Sequence, residues 1–168
     1  MNVRIRPATH ADIPAMEGVS SRSHMDPLYR SLIPSDHYDE FIAFFTPSEA
    51  RTKRFTRKIE RMLADQRRFV FVAEVNRQVV GITFCRRTME GVKLEGLFVD
   101  PDWQGQGIGR QLFEASLTPA RRGDMVWFSV IETNARARRL FERYGFAVTG
   151  VAKSFYGAKR VEMSRRED

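Results

Sequence analysis

The sequence predicts one α/β domain over residues 1–168, α+β in layout, with a mixed, mostly antiparallel central sheet flanked by helices. Three observations predict it. Stretches of period-two alternation are interleaved with stretches of helical period. Proline and glycine cut the chain into short elements. One apolar strand stops at Asp100-Pro101-Asp102, and a glycine cluster then leads into a helix.

The elements follow in order. Val3 to Arg6 alternates apolar and basic residues, as a short strand does. Thr9 and Asp12 have the spacing of a capping box, with Asp in place of Glu, so a helix should run from about Asp12 into the early twenties. Pro27, Pro34 and Pro47 then divide the chain. Asp36 to Phe45 can form one helix. A second runs from about Ser48 to Gln66, where Phe55, Ile59, Met62 and Leu63 fall on one stripe opposite a basic face. Arg68–Val75 and Val79–Arg87 read as a hairpin turning at Asn76-Arg77-Gln78, and Val92 to Val99 as the next strand. A helix from about Gly107 to Leu117 and an apolar strand from Met125 to Ile131 follow. Asn134 to Tyr144 is helical and ends at Gly145. Strands near Phe146–Ala152 and Ala158–Ser164 finish the chain.

Composition bounds the function. Hydrophobic residues at 42% and charged residues at 29% are those of a soluble globular protein and argue against disorder. Thirteen Phe predict an aromatic core. No apolar run approaches the roughly 20 residues of a membrane helix, and the first residues do not read as a signal peptide. The single Cys85 reads as a small core residue, so the expected setting is cytoplasmic, with no membrane partner. His10, His24 and His37 are scattered, with no neighbours at metal-ligand spacing, so no metal is expected. The formal charge is +7, and much of the excess lies between Arg51 and Arg68. A solvated helix face is one reading of that run. A nucleic-acid surface is the other, disfavoured because Phe55 falls on the apolar stripe and does not interleave with the exposed cations.

The glycine loop carries the chemistry. Successive glycines let backbone N–H groups turn inward, and the first N–H groups of a helix have no intrahelical partner, so Gln104-Gly105-Gln106-Gly107-Ile108-Gly109-Arg110 suits a pyrophosphate. The spacing is neither that of a dinucleotide fold nor that of a P-loop. A structural turn is the alternative for such a loop on its own.

The loop is not on its own. Gln104, Gly107 and Gly109 resemble the Q/R-x-x-G-x-G/A signature of the GNAT superfamily of N-acetyltransferases. Ile5 to Asp12 resembles that family's opening strand and first cap, and Asn134 to Phe146 its second motif. The resemblance spans nearly the whole chain, in order.

The resemblance implies an acetyl-CoA-dependent N-acetyltransferase that moves an acetyl group to a primary amine by direct attack in a ternary complex. It implies that the strand before the loop splays from its neighbour to form an acyl-CoA slot. Leu97, Phe98 and Val99 would line that slot by backbone, one of their N–H groups polarising the thioester carbonyl. The amides from Gly105 to Arg110, with Gln104, would hold the pyrophosphate, and Asn134 the cofactor arm. Glu95 stands where several members carry a catalytic base; an ion pair with a nearby cation is its other reading. The departure is Phe141, which stands where the family often has a Tyr that protonates the leaving thiolate. Tyr144 and Tyr156 are nearby in sequence without a clear claim to that role. A non-catalytic acyl-CoA-binding module therefore stays open. The acceptor amine, small molecule or protein, is not given by the motifs, and a homodimer is left open. If the basic helix borders the acceptor entrance, the acceptor should be neutral or anionic apart from its amine, or an acidic protein surface.

Overall fold

The computed structural model describes residues 1–168. Its strands are β1 (Arg4–Pro7), β2 (Arg68–Val75), β3 (Gln78–Arg87), β4 (Gly91–Val99), β5 (Met125–Ile131), β6 (Ala147–Phe155) and β7 (Ala158–Arg166). They form one seven-stranded sheet in the order β1-β2-β3-β4-β5-β7-β6. Every neighbouring pair is antiparallel except β4 and β5. The helices are α1 (Ile13–Met25), α2 (Pro27–Arg30), α3 (Tyr38–Phe45), α4 (Glu49–Ala64), α5 (Ile108–Leu117) and α6 (Ala135–Arg143).

Local signals explain most of these boundaries. Ser48 caps α4 by accepting from the Arg51 N–H at 3.1 Å. Thr9 donates its N–H to Asp12 Oδ2 at 2.8 Å, so the expected acid does reach back to the cap. Arg6 also grips Asp12 with Nη1 and Nη2, each at 2.8 Å, which holds that carboxyl down at about 2. The β2–β3 turn puts Asn76 and Arg77 at positive φ, as a two-residue hairpin turn requires.

The helices cover both faces of the sheet. From α1 and α4, Ile13, Met16, Val19, Phe55, Ile59 and Met62 pack on Val70, Val72, Ile82 and Phe84. Ile108 and Leu112 of α5 cover Ala73, Val75 and Val80. Phe113, Phe128, Phe141 and Phe146 form an aromatic core between α5, α6 and the second half of the sheet. Cys85 belongs to that core, and burial pushes its thiol up to about 12.

Three expectations are refined. The short helix α2 intervenes after Asp26, where Pro27 supplies a preset first helical residue. Residues Ser35–His37 form a 3-10 turn, so α3 starts later than Asp36. β6 continues to Phe155, because the tight turn at Tyr156-Gly157 lies further along than the composition suggested.

Candidate active site

The site begins where two parallel strands part. β4 and β5 pair only at Gly91–Met125, Val92–Val126 and Lys93–Trp127. Beyond them β5 stays bound to β7 along its full length, and β4 stays with β3. A bulge bends β4 away: Phe84 faces Gly96 and Cys85 faces Leu94, leaving Glu95 as the extra residue. Asp100 donates its N–H to the Val80 carbonyl at 2.9 Å, while the Val99 carbonyl turns the other way and accepts from Gln104 Nε2 at 3.1 Å. By strand alternation, the backbone groups of Leu97 share that open edge, whereas Phe98 pairs with Ile82. The gap opens into a cleft of about 1680 Å³ that runs from Gln104 and Asn134 to α1, α3 and α4.

At one end lies the glycine loop. No backbone N–H from Gly105 to Arg110 donates to a protein acceptor, and the first helical bond is Gln111 N–H to the Gly107 carbonyl at 3.2 Å. Gly105 and Gly107 sit at φ +76° and +82°, and a Cβ on Gly107 would meet no atom within 4 Å. The loop is thus a row of free donors at a helix N-terminus beside open space, the chemistry a pyrophosphate needs. The Ile108 side chain is buried beneath the sheet, so this residue can contribute only its N–H. The side chains of Gln106 and Arg110 are exposed. Gln104 is committed to structure, with Nε2 on Val99 and Oε1 accepting from Arg136 Nη1 at 3.0 Å. Asn134 caps α6 through Oδ1, which accepts from the Ala137 N–H at 3.2 Å, and its Nδ2 has no protein partner.

Glu95 lines the middle of the cleft. Arg68 Nη1 donates to its Oε2, and Arg86 Nε lies 3.5 Å from Oε1. The ion pair weighed from sequence is therefore present. Phe141 is buried against Phe113 and Phe128. Tyr144 points to α5, its hydroxyl donating to Glu114 Oε1 at 2.5 Å. Tyr156 packs on Phe41 and Phe44 of α3. Neither tyrosine lines the cleft.

Three residues on the other side of the cleft were not singled out as site residues from sequence. His24 is 6% exposed, stacked on Phe45 at 4.0 Å and 4.6 Å from the Phe98 ring. Its Nδ1 donates to the Ser20 carbonyl at 2.7 Å, which leaves the lone pair on Nε2. Burial pushes its pKa down to about 4, so the ring is neutral. Tyr29 lies edge-on to His24 at 5.2 Å, and desolvation pushes its hydroxyl up to about 12. Arg51 corrects an expectation. Its place on α4 was expected to face solvent, yet it is 4% exposed, because it lies one turn before Phe55 on the apolar stripe. That spacing was the available signal for Arg51; for His24 and Tyr29 the sequence held none.

No helix is long and apolar enough to cross a membrane. A family model described as an acetyltransferase (GNAT) domain matches residues 35–167. The chain is 40% identical over 62 residues to the peptidyl-lysine N-acetyltransferase YjaB of Salmonella typhimurium, covering 37% of this chain and 41% of that protein. It is 28% identical over 80 residues to the ribosomal protein bS18-alanine N-acetyltransferase of Haemophilus ducreyi, covering 46% and 55%. The chain thus spans about half the length of these curated relatives. In fold it is similar to the PaiA N-acetyltransferase of Thermoplasma acidophilum, solved in complex with coenzyme A, with a TM-score of 0.76 at 14% identity over 99% of each chain. The family match covers most of the chain and agrees with the parted β4–β5 pair and the glycine loop, and the chain belongs to the GNAT acetyltransferase family.

Proposed function

We propose that this protein is an acetyl-CoA-dependent N-acetyltransferase acting on a primary amine, as one domain over residues 1–168. The observation that carries the reading is the row of unpartnered N–H groups from Gly105 to Arg110 at one end of the β4–β5 gap. These amides would hold the pyrophosphate, with Gln104 bracing the loop. Asn134 Nδ2 and the open edge at Leu97 and Val99 would hold the pantetheine arm, with Phe98 closing the acceptor side. Acetyl-CoA supplies a thioester carbonyl that a neutral amine can attack. The amine nitrogen forms the new C–N bond, the C–S bond breaks, and the released thiol takes up one proton while the amine gives one up.

An alkyl ammonium has a pKa near 10, so the protein must help remove a proton. Glu95 is the proposed base, the bulge turning its carboxylate into the cleft. Arg68 and Arg86 occupy its two oxygens, so it would reach the amine through water. A second reading is favoured by one observation: His24 carries a neutral Nε2 lone pair without a protein partner, beside Phe98. No tyrosine acid stands at Phe141, and a thiolate of pKa near 8.5 leaves without one. The lone, buried Cys85 is compatible with a reducing cytoplasm, the compartment we propose.

Thiol release on mixing the purified protein with acetyl-CoA and an amine library tests the reading. Acetyl-CoA-dependent thiol release with formation of the acetylated amine is expected. Binding of acetyl-CoA without transfer to any amine would favour a non-catalytic acyl-CoA-binding module.

A further inference from the structure

The acceptor end of the cleft contains a cation that neither the cofactor loop nor the proposed base uses. Arg51 is buried, and its Nη2 donates to Ser20 Oγ at 3.2 Å. Its guanidinium carbon lies 5.1 Å from the centre of the Phe45 ring and 6.0 Å from that of Phe44. The Nε is buried without a hydrogen-bond partner. No carboxylate lies within ion-pairing distance of Arg51, although the arginines at positions 6, 68 and 87 each have one. Glu17, the one carboxylate that acts on Arg51 through space, accepts from Thr52 Oγ1 at 3.0 Å. Desolvation is the main influence against the charge on Arg51, and Arg54 adds to it; Glu17 and Tyr156 favour the charge from a distance, and Ser20 and two aromatic faces are its direct contacts.

A buried guanidinium without a counter-ion is costly, and buried charges in proteins are as a rule paired, so an anion brought by a ligand would offset that cost. The wall around it has the same sign. Lys58 stands 5.0 Å from the Phe84 ring, Arg54 4.3 Å from the Phe44 ring and Arg160 5.9 Å from the Phe155 ring, all on the cleft. Of the carboxylates lining the cleft, Glu95 is already paired with Arg68 and Arg86, which leaves Asp26.

We propose that Arg51, supported by Ser20 and Lys58, holds a carboxylate or phosphate carried by the acceptor, so that the substrate is a small amine with an anionic group. The proposal rests on the acetyl-transfer reading. A guanidinium fork accepts two oxygens of a carboxylate or phosphate together, which an ammonium point charge does not do as well. Because the fork is buried among Ser20, Phe44 and Phe45, only a group that enters the cleft can reach it. A small molecule meets that condition, and an acidic surface patch on a folded protein does not. Polyamines are excluded by the charge of the wall.

The test uses matched amines: amino acids against their carboxamides, and O-phosphoethanolamine against ethanolamine, all at saturating acetyl-CoA. The anionic member of at least one pair should have a kcat/KM about tenfold or more above its neutral partner, the scale of a charge-assisted hydrogen bond. Arg51→Met should erase that preference, Arg51→Lys should retain part of it, and all variants should keep the stabilisation by acetyl-CoA. Inorganic phosphate should compete with the anionic amine. Equal rates within every pair, a preference for the neutral partner, or a preference that survives Arg51→Met overturns the proposal. Acetylation confined to peptides also overturns it, in favour of a protein acceptor. Should Arg51→Met fail to fold, Ser20→Ala and phosphate competition on the wild type decide: an unchanged preference in Ser20→Ala together with no competition overturns it. Thiol release with neutral amines only would sink the anion site and leave the acetyltransferase reading standing. No thiol release with any amine would sink the reading itself.

Discussion

The rings of His24 and Phe98 lie 4.6 Å apart and join α1 to the end of β4 that parts from β5. That contact holds a neutral imidazole against the strand expected to bind the cofactor. Burial dominates the low pKa; the Ser20 carbonyl acts against it, and Arg51 and Lys58 act with it. The pKa is about 4 folded against 6.5 unfolded, so the unfolded chain binds more protons between those values. Stability contributed by the neutral ring is therefore complete above pH 6.5 and lost as pH falls towards 4, about 3 kcal/mol in all. Asp12, held at about 2, adds its own loss only below its usual value of 3.8. Urea unfolding from pH 7.5 to 4.5 should show this slope in the wild type and a shallower one in His24→Gln. Parallel slopes would show that His24 is not a buried neutral group.

Acetyl-CoA should raise thermal stability, because it binds only the folded state. At 100 times its Kd the gain is about 2.7 kcal/mol, or roughly 5–10 °C for a chain of this size. Differential scanning calorimetry at millimolar acetyl-CoA reads it directly. An unchanged Tm would remove the cofactor assignment.

Gly107→Val should fold and lose that shift. A Cβ there meets nothing within 4 Å, so the fold has room for it, while φ +82° costs a β-branched residue about 1–2 kcal/mol or more. The side chain would occupy the space beside the free loop amides. The expected result is a Tm a few degrees lower and no response to acetyl-CoA. A normal response would move the phosphate site elsewhere.

Glu95→Gln separates the two candidate bases. If the carboxylate takes the proton, kcat/KM should fall by roughly 10²–10⁴ and the acidic limb of the pH profile should change. If the group serves Arg68 and Arg86 structurally, the rate should stay within a few-fold while Tm drops. In that second case His24→Gln should carry the kinetic loss. Full activity in both variants would leave neither residue as base.

Salt should slow the reaction with an anionic amine. Lys53 and Arg57 are exposed on the cleft side of α4, and their field is screened beyond about 8 Å at physiological ionic strength. At saturating acetyl-CoA, kcat/KM should fall as sodium chloride rises, and a Lys53→Glu, Arg57→Glu double change should lower it further. A flat response would assign that face to solubility alone.

Much of this protein was readable along the chain. The strands of the β2–β3–β4 meander, the amphipathic stripe Phe55-Ile59-Met62, and the glycine loop before α5 depend on side-chain period and on glycine torsions, which are local properties. The same locality explains the errors. By charge alone Arg51 belongs with its basic neighbours, yet it stands four residues before Phe55 and shares that residue's face.

By itself, the sequence determined the elements, the loop that offers its amides, and the residues that carry the family resemblance. Tertiary structure alone decided which side chains meet across the cleft. The Glu95 ion pairs join β4 to β2 and β3, the His24 stack joins α1 to α3 and β4, and the Arg51–Ser20 contact joins α4 to α1. Each brings together residues distant in sequence or on separate elements, so it depends on strand register, on the Glu95 bulge and on helix packing, which no local periodicity encodes. The parting of β4 from β5 is of the same kind. It arises because β4 follows β3 through the Glu95 bulge while β5 stays with β7, so the two strands diverge only once the whole sheet has assembled.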